Sequence, residues 1–330
     1  MTQQEFLQDL EAFLHEWHND KPTVWVHTSG STGVPKPMQV EKKRMMASAR
    51  LTCQFLGLQK DDSALLCMPL QYIAGKMVVV RSLVAGLRLI PVPPCGHPLK
   101  DLKEAPTFAA MIPMQVYNSL QVPEEKELLK QIKHLIIGGG AIDKTLANVL
   151  KDFPNQVWST YGMTETLSHI ALRRLNGQEA SDWYTPFNNV RIRLSKENTL
   201  IIDAPQVCAE ELITNDIAEI NEEGQFHIIG RKDNIINSGG IKIQIEEVES
   251  RLREFMSVDI QITASPDAKF GEIVVLLYNK VGNETNIRRV CEETLPAYWV
   301  PKRYIAIEEL PLTGTGKPDR AKARRIAYHE

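Results

Sequence analysis

The sequence predicts an α/β protein with a large N-terminal mixed α/β domain and a smaller C-terminal α+β domain. Short apolar strands alternate with amphipathic helices up to about residue 185, which is typical of a mostly parallel sheet. After that point the alternation gives way to short strands separated by polar turns. A length of 330 residues and an apolar fraction of 43% are sufficient for two cores.

The first half begins with apolar residues at helical spacing between residues 5 and 17, which predict an amphipathic helix. A strand in TVWVHTSG and a helix over residues 41–56 follow. The remaining predicted strands lie in SALLCMPL, LRLIPVPP, TFAAMIP, IKHLIIGGGA and QVWSTYGMTE, and the remaining helices in GKMVVVRSLVAG and AIDKTLANVLKDF. Three strands run into polar or glycine-rich loops, TSGSTG, GGGA and YGMTE. Because ligands of parallel sheets bind at the carboxyl ends of strands, these loops are expected to form one site.

The second half contains short predicted strands in NVRIRLS, TLIID, EELIT, AEIN and QFHIIG. A charged, glycine-marked crossing, GRKDNIINSGGIKI, comes next. Beyond it the pattern predicts a helix in IEEVESRLREF, strands in VDIQITAS and EIVVLLYNK, and a basic tail. We therefore place the domain boundary at Asp233, which gives domains of residues 1–232 and 233–330.

Composition excludes several classes of function. With a net charge of −3, nothing in the composition argues for nucleic acid or a membrane surface as a partner. Five scattered cysteines without a CxxC pair indicate free thiols rather than a disulfide framework or a zinc site. The sequence has neither a signal-peptide pattern nor an apolar stretch long enough to span a membrane, so a cytoplasmic location is expected.

The loop HTSGSTGVPK, residues 27–36, combines hydroxyls, glycines and one lysine. Consecutive backbone N–H groups and a mobile cation suit phosphate binding. The spacing does not fit the GxxxxGK[ST] sequence of the Walker loop in P-loop nucleoside triphosphatases. On composition alone, a flexible polar surface loop stays an open alternative.

Four segments in this order, HTSGSTGVPK, STYGMTET, GRKDNIINSGGIKI and PLTGTGKPDR, resemble the signature motifs of the adenylate-forming superfamily. The resemblance covers about residues 24–320. It implies the adenylate-forming fold, with a mobile C-terminal domain. It also implies a two-step reaction, in which a carboxylate and ATP form acyl-AMP and pyrophosphate before a thiol, usually of coenzyme A, displaces AMP. Such a first step needs cations and N–H donors at the phosphates.

The segments MPLQYIAG, IIGGGAI and YGMTETLSHI are most similar to family members that attach coenzyme A to o-succinylbenzoate in menaquinone synthesis. The implied partners are therefore ATP, Mg²⁺, coenzyme A and an acid with two carboxylates. Three alternatives stay open: another aryl- or acyl-CoA ligase, an adenylation enzyme that loads a carrier protein, and a nucleotide-binding protein without activity.

The resemblance also implies a role for individual residues. The β- and γ-phosphates would be held by Thr28, Ser29, Gly30, Ser31, Thr32, Gly33 and Lys36. Thr164 and Glu165 would contact the α-phosphate and hold Mg²⁺, which one or two carboxylates suffice to bind. The adenine would lie between the ring of Tyr161 and the backbone of Gly139, Gly140 and Ala141; a tight turn is the other interpretation of this glycine run.

The ribose would be bound by Asp216 and Arg231, although TND stands where the family usually has TGD, so an exposed turn aspartate is the alternative. Lys317 matches the catalytic lysine that bridges the carboxylate and the α-phosphate; composition alone would make it a solvated tail lysine. Asp233 matches the hinge. Gly240 matches a glycine that lines the thiol tunnel, with an ordinary turn glycine as the alternative.

The acid is expected to contact MPLQYIAGKM, where Tyr72 replaces a usual histidine and Lys76 follows Gly75. We predict that Lys76 pairs with a second carboxylate of the acid, with a solvent-facing lysine as the alternative. Arg81 could serve the same role or end the helix. The chain is shorter than its family before the first loop, so we expect either a more open acid pocket or a homodimer.

Overall fold

The computed structural model describes residues 1–27, 37–140, 142, 144–313 and 317–329. The helices, in chain order, are α1 (Gln3–His18), α2 (Lys42–Leu56), α3 (Ile73–Ala85), α4 (Pro113–Leu120), α5 (Pro123–Gln131), α6 (Lys144–Leu150), α7 (Ile245–Arg253), α8 (Glu284–Thr294) and α9 (Arg320–His329).

The strands, also in chain order, are β1 (Thr23–His27), β2 (Pro37–Glu41), β3 (Ser63–Leu66), β4 (Arg88–Pro91), β5 (Phe108–Met111), β6 (His134–Ile137), β7 (Gln156–Gly162), β8 (His169–Arg174), β9 (Thr185–Pro186), β10 (Arg191–Leu194), β11 (Thr199–Asp203), β12 (Leu212–Ile220), β13 (Phe226–Arg231), β14 (Ile235–Ser238), β15 (Ile241–Gln244), β16 (Ile260–Asp267), β17 (Gly271–Asn279) and β18 (Arg303–Ile307).

The largest sheet has seven strands in the order β4-β3-β5-β6-β7-β8-β9. Pairing is parallel from β4 through β7 and antiparallel at β8 and β9. Because side chains alternate across a strand, Phe108 and Ala110 enter one apolar core while Ala109 and Met111 enter a second on the other face. A sheet buried on both faces explains the continuous apolar strands, and the predicted α/β class is confirmed.

The strand before the first polar loop does not belong to this sheet. β1 pairs only with β2, in a separate two-stranded antiparallel ribbon among the described residues. The expectation that this strand belongs to the parallel sheet is therefore wrong, whereas the loop after it lies outside the described residues. The ribbon still approaches the sheet, because His27 forms a parallel bridge with Tyr72, just before α3.

Local signals set the ends of several helices. α1 begins with a capping box in which Thr2 accepts from the backbone of Glu5 while the Glu5 carboxylate accepts from Thr2. α2 and α3 end at Gly57 and Gly86, whose φ angles of 67° and 68° are left-handed. The predicted helix end at Gly86 is confirmed.

A four-stranded antiparallel sheet, β10-β11-β12-β13, follows. The two strands predicted in EELIT and AEIN form one strand, β12, with a bulge at Ile217. The polar pair between them reads like a turn in the sequence, yet Asp216 pairs across the sheet with Arg231. This pairing overrides the local turn preference and places Asp216 beside Arg231.

The C-terminal part has a five-stranded sheet in the order β15-β14-β17-β16, with β18 parallel to β17. The apolar faces of α7 and α8 pack on it. The basic tail forms α9, whose Ala323 and Ala327 contact the other face. Helices α4, α5 and α8 and strands β2, β8, β9, β14, β15 and β18 were not assigned from the sequence pattern.

The buried clusters of the described residues fall into two groups, one within residues 6–226 and one within residues 236–327. The division into domains at Asp233 stays a prediction. A short 3-10 turn, Lys232–Asn234, joins β13 to β14 at that place. Among the described helices, none is both long and apolar enough to cross a membrane.

Candidate active site

The carboxyl ends of β6 and β7 form the floor of the candidate site. These strands are neighbours, so the glycine run after β6 lies beside the YGMTE loop after β7. A Cβ on Gly138 would lie 2.3 Å from Oγ1 of Thr160, and one on Gly162 would lie 2.2 Å from the carbonyl oxygen of Ser168. Close packing of the loops against the strands therefore requires glycine at both positions.

Gly139 and Gly140 face the start of α4. Gly139 has a φ of 79°, which favours glycine, and its ideal Cβ position lies 3.2 Å from Ile112. The turn interpretation therefore applies to Gly139, which does not exclude a contact between its backbone and adenine. The third predicted adenine neighbour, Ala141, lies outside the described residues.

Tyr161 is buried and packs against two other rings. It packs edge-on against Phe226 with 5.0 Å between ring centroids, and Tyr184 lies 5.8 Å away. Its hydroxyl donates a 2.6 Å hydrogen bond to Oδ2 of Asp216. Burial and the Asp216 carboxylate raise the pKa of Tyr161 far above its ordinary value, so it stays a neutral donor.

Arg231 joins the two acids that the sequence singled out. Its Nη1 donates to Oδ1 of Asp216 at 3.1 Å, and its Nη2 donates to Oδ2 of Asp233 at 2.8 Å. Burial acts against the charge, but the hydrogen bond to Asp233 and the attraction of Asp216 prevail and raise the pKa of Arg231. Asn215, which stands where the family usually has glycine, donates to the same oxygen of Asp233 at 3.2 Å.

Lys317 is within electrostatic reach of this group although it is 86 positions from Arg231 in the sequence. Burial and then the positive charge of Arg231 lower the pKa of Lys317, while Asp216 acts in the opposite direction. Lys317 is half-buried and feels the charges of Arg231 and Asp216, so the solvated-tail interpretation does not apply.

Thr164 and Glu165 follow β7 on the same loop. Thr164 is buried, whereas Glu165 is exposed and has no ion pair or hydrogen bond with the residues that the structure describes. A free carboxylate next to a threonine suits Mg²⁺ held jointly with phosphate oxygens and water. The described part of the chain contains no group of three or more His, Cys, Asp or Glu side chains placed to hold a metal.

A buried polar network includes Ser168 of the loop after β7. The sequence analysis named only one of its members, Arg81. Nη2 of Arg81 donates to Oγ of Ser168 at 2.5 Å, and that hydroxyl lies 3.2 Å from Nδ1 of His169. Nε2 of His169 lies 3.0 Å from Oγ1 of Thr52. The apolar neighbours of Arg81 along α3 gave no signal of this network, because its members come from three distant parts of the sequence.

Arg81 is only 2% exposed, and its Nε has no hydrogen-bond partner within the part of the chain that the structure describes. Burial lowers the pKa of Arg81 to about 10, so it remains charged at neutral pH. Burial and the charge of Arg81 lower the pKa of His169 well below its ordinary value, so His169 is neutral. Among the described residues, no carboxylate pairs with Arg81.

The structure corrects the prediction for Lys76. Its Nζ lies 3.3 Å from Oε2 of Glu16 and 4.4 Å from the ring centroid of Phe13, both on α1. The side chain is 9% exposed, so it does not face solvent either. Lys76 therefore fixes α1 to α3, and its charge is already compensated inside the protein.

The structure also describes the surroundings of Gly75, Tyr72 and Gly240. A Cβ on Gly75 would lie 2.5 Å from the carbonyl oxygen of Pro69, so close helix–loop packing explains this glycine. Tyr72 precedes α3 and bridges to His27, beside the first polar loop. Gly240 has a φ of 84°, and its ideal Cβ position has no atom within 4 Å. The acid contact of Tyr72 and the tunnel role of Gly240 stay predictions.

The predicted phosphate loop lies outside the described residues, and this includes Thr28, Ser29, Gly30, Ser31, Thr32, Gly33 and Lys36. The described residues nevertheless join Tyr161, Asp216, Arg231 and Asp233 by hydrogen bonds, and the charges of this group act on Lys317. Glu165 and Ser168, the partner of Arg81, lie on the loop after β7, which follows Tyr161.

Comparison with known proteins shows the family of the chain. The sequence model of a family described as "AMP-binding enzyme" matches residues 3–208. The 2-succinylbenzoate–CoA ligase of Bacillus mycoides is 26% identical over 350 aligned residues, which cover 96% of this chain and 73% of the relative.

Solved structures give the same picture for the fold. An acyl-CoA synthetase (AMP-forming)/AMP-acid ligase II-like protein from Dyadobacter fermentans superposes with a TM-score of 0.67 and 31% identity, covering 97% of this chain and 94% of that one. The o-succinylbenzoate CoA synthetase of Bacillus subtilis, in complex with the acyl-adenylate intermediate, has a TM-score of 0.76 and 22% identity, with coverages of 91% and 68%.

Proposed function

Because the chain belongs to the AMP-binding enzyme family, we propose that it is an AMP-forming acid–thiol ligase that uses ATP and coenzyme A. The carboxylate oxygen bonds to the α-phosphorus, and the bond from this phosphorus to the oxygen of the leaving pyrophosphate breaks. The sulfur of coenzyme A then bonds to the acyl carbon, AMP leaves, and the thiol proton passes to solvent. The hydrogen-bonded group of Tyr161, Asp216 and Arg231 carries this proposal, and the charges of Asp216 and Arg231 both act on Lys317.

The group around Asp216 supports a nucleotide site. One oxygen of its carboxylate accepts from Tyr161 and the other from Arg231, which fixes its orientation before any ligand arrives. In the proposed complex Asp216 accepts from the ribose hydroxyls and Arg231 donates to them. Lys317 would then lie at the α-phosphate, where its ammonium brings the two anions together.

The loop after β7 supplies the next part of the proposed site. Thr164 donates to the α-phosphate, and Glu165 with the phosphate oxygens would hold Mg²⁺, which neutralises charge on the triphosphate when bound. Lys36 and the residues of its loop would hold the outer phosphates.

We infer that the acid is o-succinylbenzoate, a dicarboxylate. The name of the Bacillus mycoides relative supports this inference, and so does Arg81. A buried guanidinium without a carboxylate partner among the described residues is unfavourable, because desolvation of the charge is not compensated. A second carboxylate of the acid would compensate it, and Ser168 would hold the guanidinium toward that group.

The test is pyrophosphate release from ATP and Mg²⁺ with a panel of mono- and dicarboxylic acids, with and without coenzyme A. We expect release that depends on o-succinylbenzoate, and a coenzyme A thioester detected by mass spectrometry. Release with a different acid would retain the reaction and reject the substrate. Acyl-AMP that accumulates without a thioester would instead indicate a carrier protein as the thiol donor.

A further inference from the structure

The segment that carries Lys317 is closed at its base by backbone hydrogen bonds. The backbone N–H of Thr313 donates to the carbonyl oxygen of Lys317 at 2.7 Å, and the N–H of Asp319 donates to that of Pro311 at 2.8 Å. The N–H of Lys317 donates to Oγ1 of Thr313 at 3.2 Å. Lys317 therefore lies on one of two paired arms, residues 311–313 and 317–319, which we call the hairpin, and Arg320 follows the end of the second arm.

Arg320, the first residue of α9, holds that end. Its Nη1 and Nη2 donate to Oε1 and Oε2 of Glu249 on α7, at 2.5 and 2.7 Å, in a two-pronged ion pair. Nη1 also donates to the carbonyl oxygen of Ile262 at 3.2 Å. The guanidinium thus joins the end of the hairpin to both α7 and β16.

Glu249 is itself held in place. It is 3% exposed, and its Oε1 accepts from the backbone N–H of Ile262 at 2.9 Å. Arg253, one turn further along α7, lies 3.6 Å from Oε2. A buried carboxylate with this many donors has little freedom, so the position of Arg320 is fixed from the interior of the C-terminal part.

We propose that Arg320 and Glu249 are positioning residues that hold Lys317 at the place where acyl-AMP forms. This proposal rests on the proposed function of Lys317. Arg320 does not touch the Asp216 group; it acts through three residues of backbone. The side chain of a lysine has many conformations, and a fixed backbone position at Lys317 limits where its ammonium group can lie. Loss of the ion pair therefore increases the fraction of molecules in which this ammonium group is misplaced.

The experiment compares Arg320→Met and Arg320→Lys with a matched control, Arg324→Met. Arg324 lies on the same helix and pairs with Glu272, but it is 55% exposed. We expect Arg320→Met to slow acyl-AMP formation by roughly 100-fold. Arg320→Lys should restore part of the rate because it keeps the charge, and Arg324→Met should behave as wild type.

A readout by half-reaction separates positioning from damage to the fold. In the proposed mechanism Lys317 acts only in acyl-AMP formation, so thioester formation from supplied acyl-AMP should be unchanged in all variants. Equal losses in both half-reactions, or no loss in the first, would overturn the proposal. If Arg320→Met does not fold, the loss in Arg320→Lys decides the question.

A second readout does not depend on activity. The acetylation rate of Lys317, measured by mass spectrometry with Lys322 as the exposed internal reference, should rise in Arg320→Lys and Arg320→Met. An unchanged rate in both would reject the positioning role. If wild type activates no acid while acetylation responds as expected, the proposed function fails and the structural link between Arg320 and Lys317 stands.

Discussion

The hydroxyl of Tyr161 donates a 2.6 Å hydrogen bond to Oδ2 of Asp216, although the two residues are 55 positions apart in the chain. The bond joins the end of the parallel sheet to the antiparallel sheet, at the place where the proposed adenine and ribose contacts meet. It leaves Asp216 oriented by a neutral donor on one side and by Arg231 on the other.

Tyr161→Phe removes this donor and keeps the ring. We expect the KM for ATP to rise about 10-fold, which corresponds to ~1.4 kcal/mol, because one hydrogen bond to a carboxylate is lost. The maximal rate of pyrophosphate release should change less. Tyr184→Phe, which loses a hydroxyl contact to Ser159 in the same aromatic group, is the control and should leave the KM for ATP unchanged. Equal effects of both changes would show that only packing matters.

The lowered pKa of Lys317 predicts an alkaline limit to the first half-reaction. As pH rises through a lowered pKa, the ammonium is lost earlier than from an ordinary lysine. We therefore expect kcat/KM for pyrophosphate release to fall at a pH below that of an unperturbed lysine. Lys317→Arg, which stays charged, should retain low activity without this alkaline fall in kcat/KM. If the alkaline fall persists in Lys317→Arg, another group titrates.

Arg81→Lys and Arg81→Met test how the acid is recognised. We expect kcat/KM for o-succinylbenzoate to fall by roughly 100-fold in Arg81→Met, since a buried charge-assisted contact is removed. For benzoylpropionate, which lacks the ring carboxylate, the variant and the wild type should differ much less. Equal losses for the two acids would indicate that Arg81 serves the fold and does not bind the second carboxylate.

Glu165→Gln tests the metal site. We expect the Mg²⁺ concentration for half-maximal pyrophosphate release to rise by at least about 10-fold, because an amide replaces the carboxylate ligand. Glu222→Gln changes an exposed carboxylate in the turn between β12 and β13 and should leave the Mg²⁺ dependence as it is. An unaltered Mg²⁺ dependence in Glu165→Gln would remove this residue from the metal site.

Lys76→Met tests the corrected role of that lysine. The change breaks the contact with Glu16 and retains an apolar chain over Phe13, so we expect a loss of ~1–2 kcal/mol in the free energy of unfolding. Urea titration measures this loss. The KM for the acid should stay as in the wild type. A raised KM with unchanged stability would return Lys76 to the acid pocket.

Most of the local structure could be predicted from the sequence. The ends of α1 and α3, the strands of the parallel sheet and the loops after β6 and β7 all follow from short-range signals, namely apolar periodicity, capping residues and glycine. The prediction of two separate strands in EELIT and AEIN failed, because strand pairing decides the outcome there. Asp216 lies in the sequence like a turn residue, yet its pairing opposite Arg231 makes it part of β12.

The sequence by itself determined the α/β class, the family and the identity of the residues proposed for the nucleotide site, because motifs and periodicity are properties of neighbouring residues. Only the tertiary structure decided the partners of the charged side chains. Lys76 meets Glu16 across 60 positions and Arg320 meets Glu249 across 71, whereas Arg81 is buried without a carboxylate among the described residues. Whether a charge is compensated depends on packing between distant segments, and composition and spacing do not specify that packing.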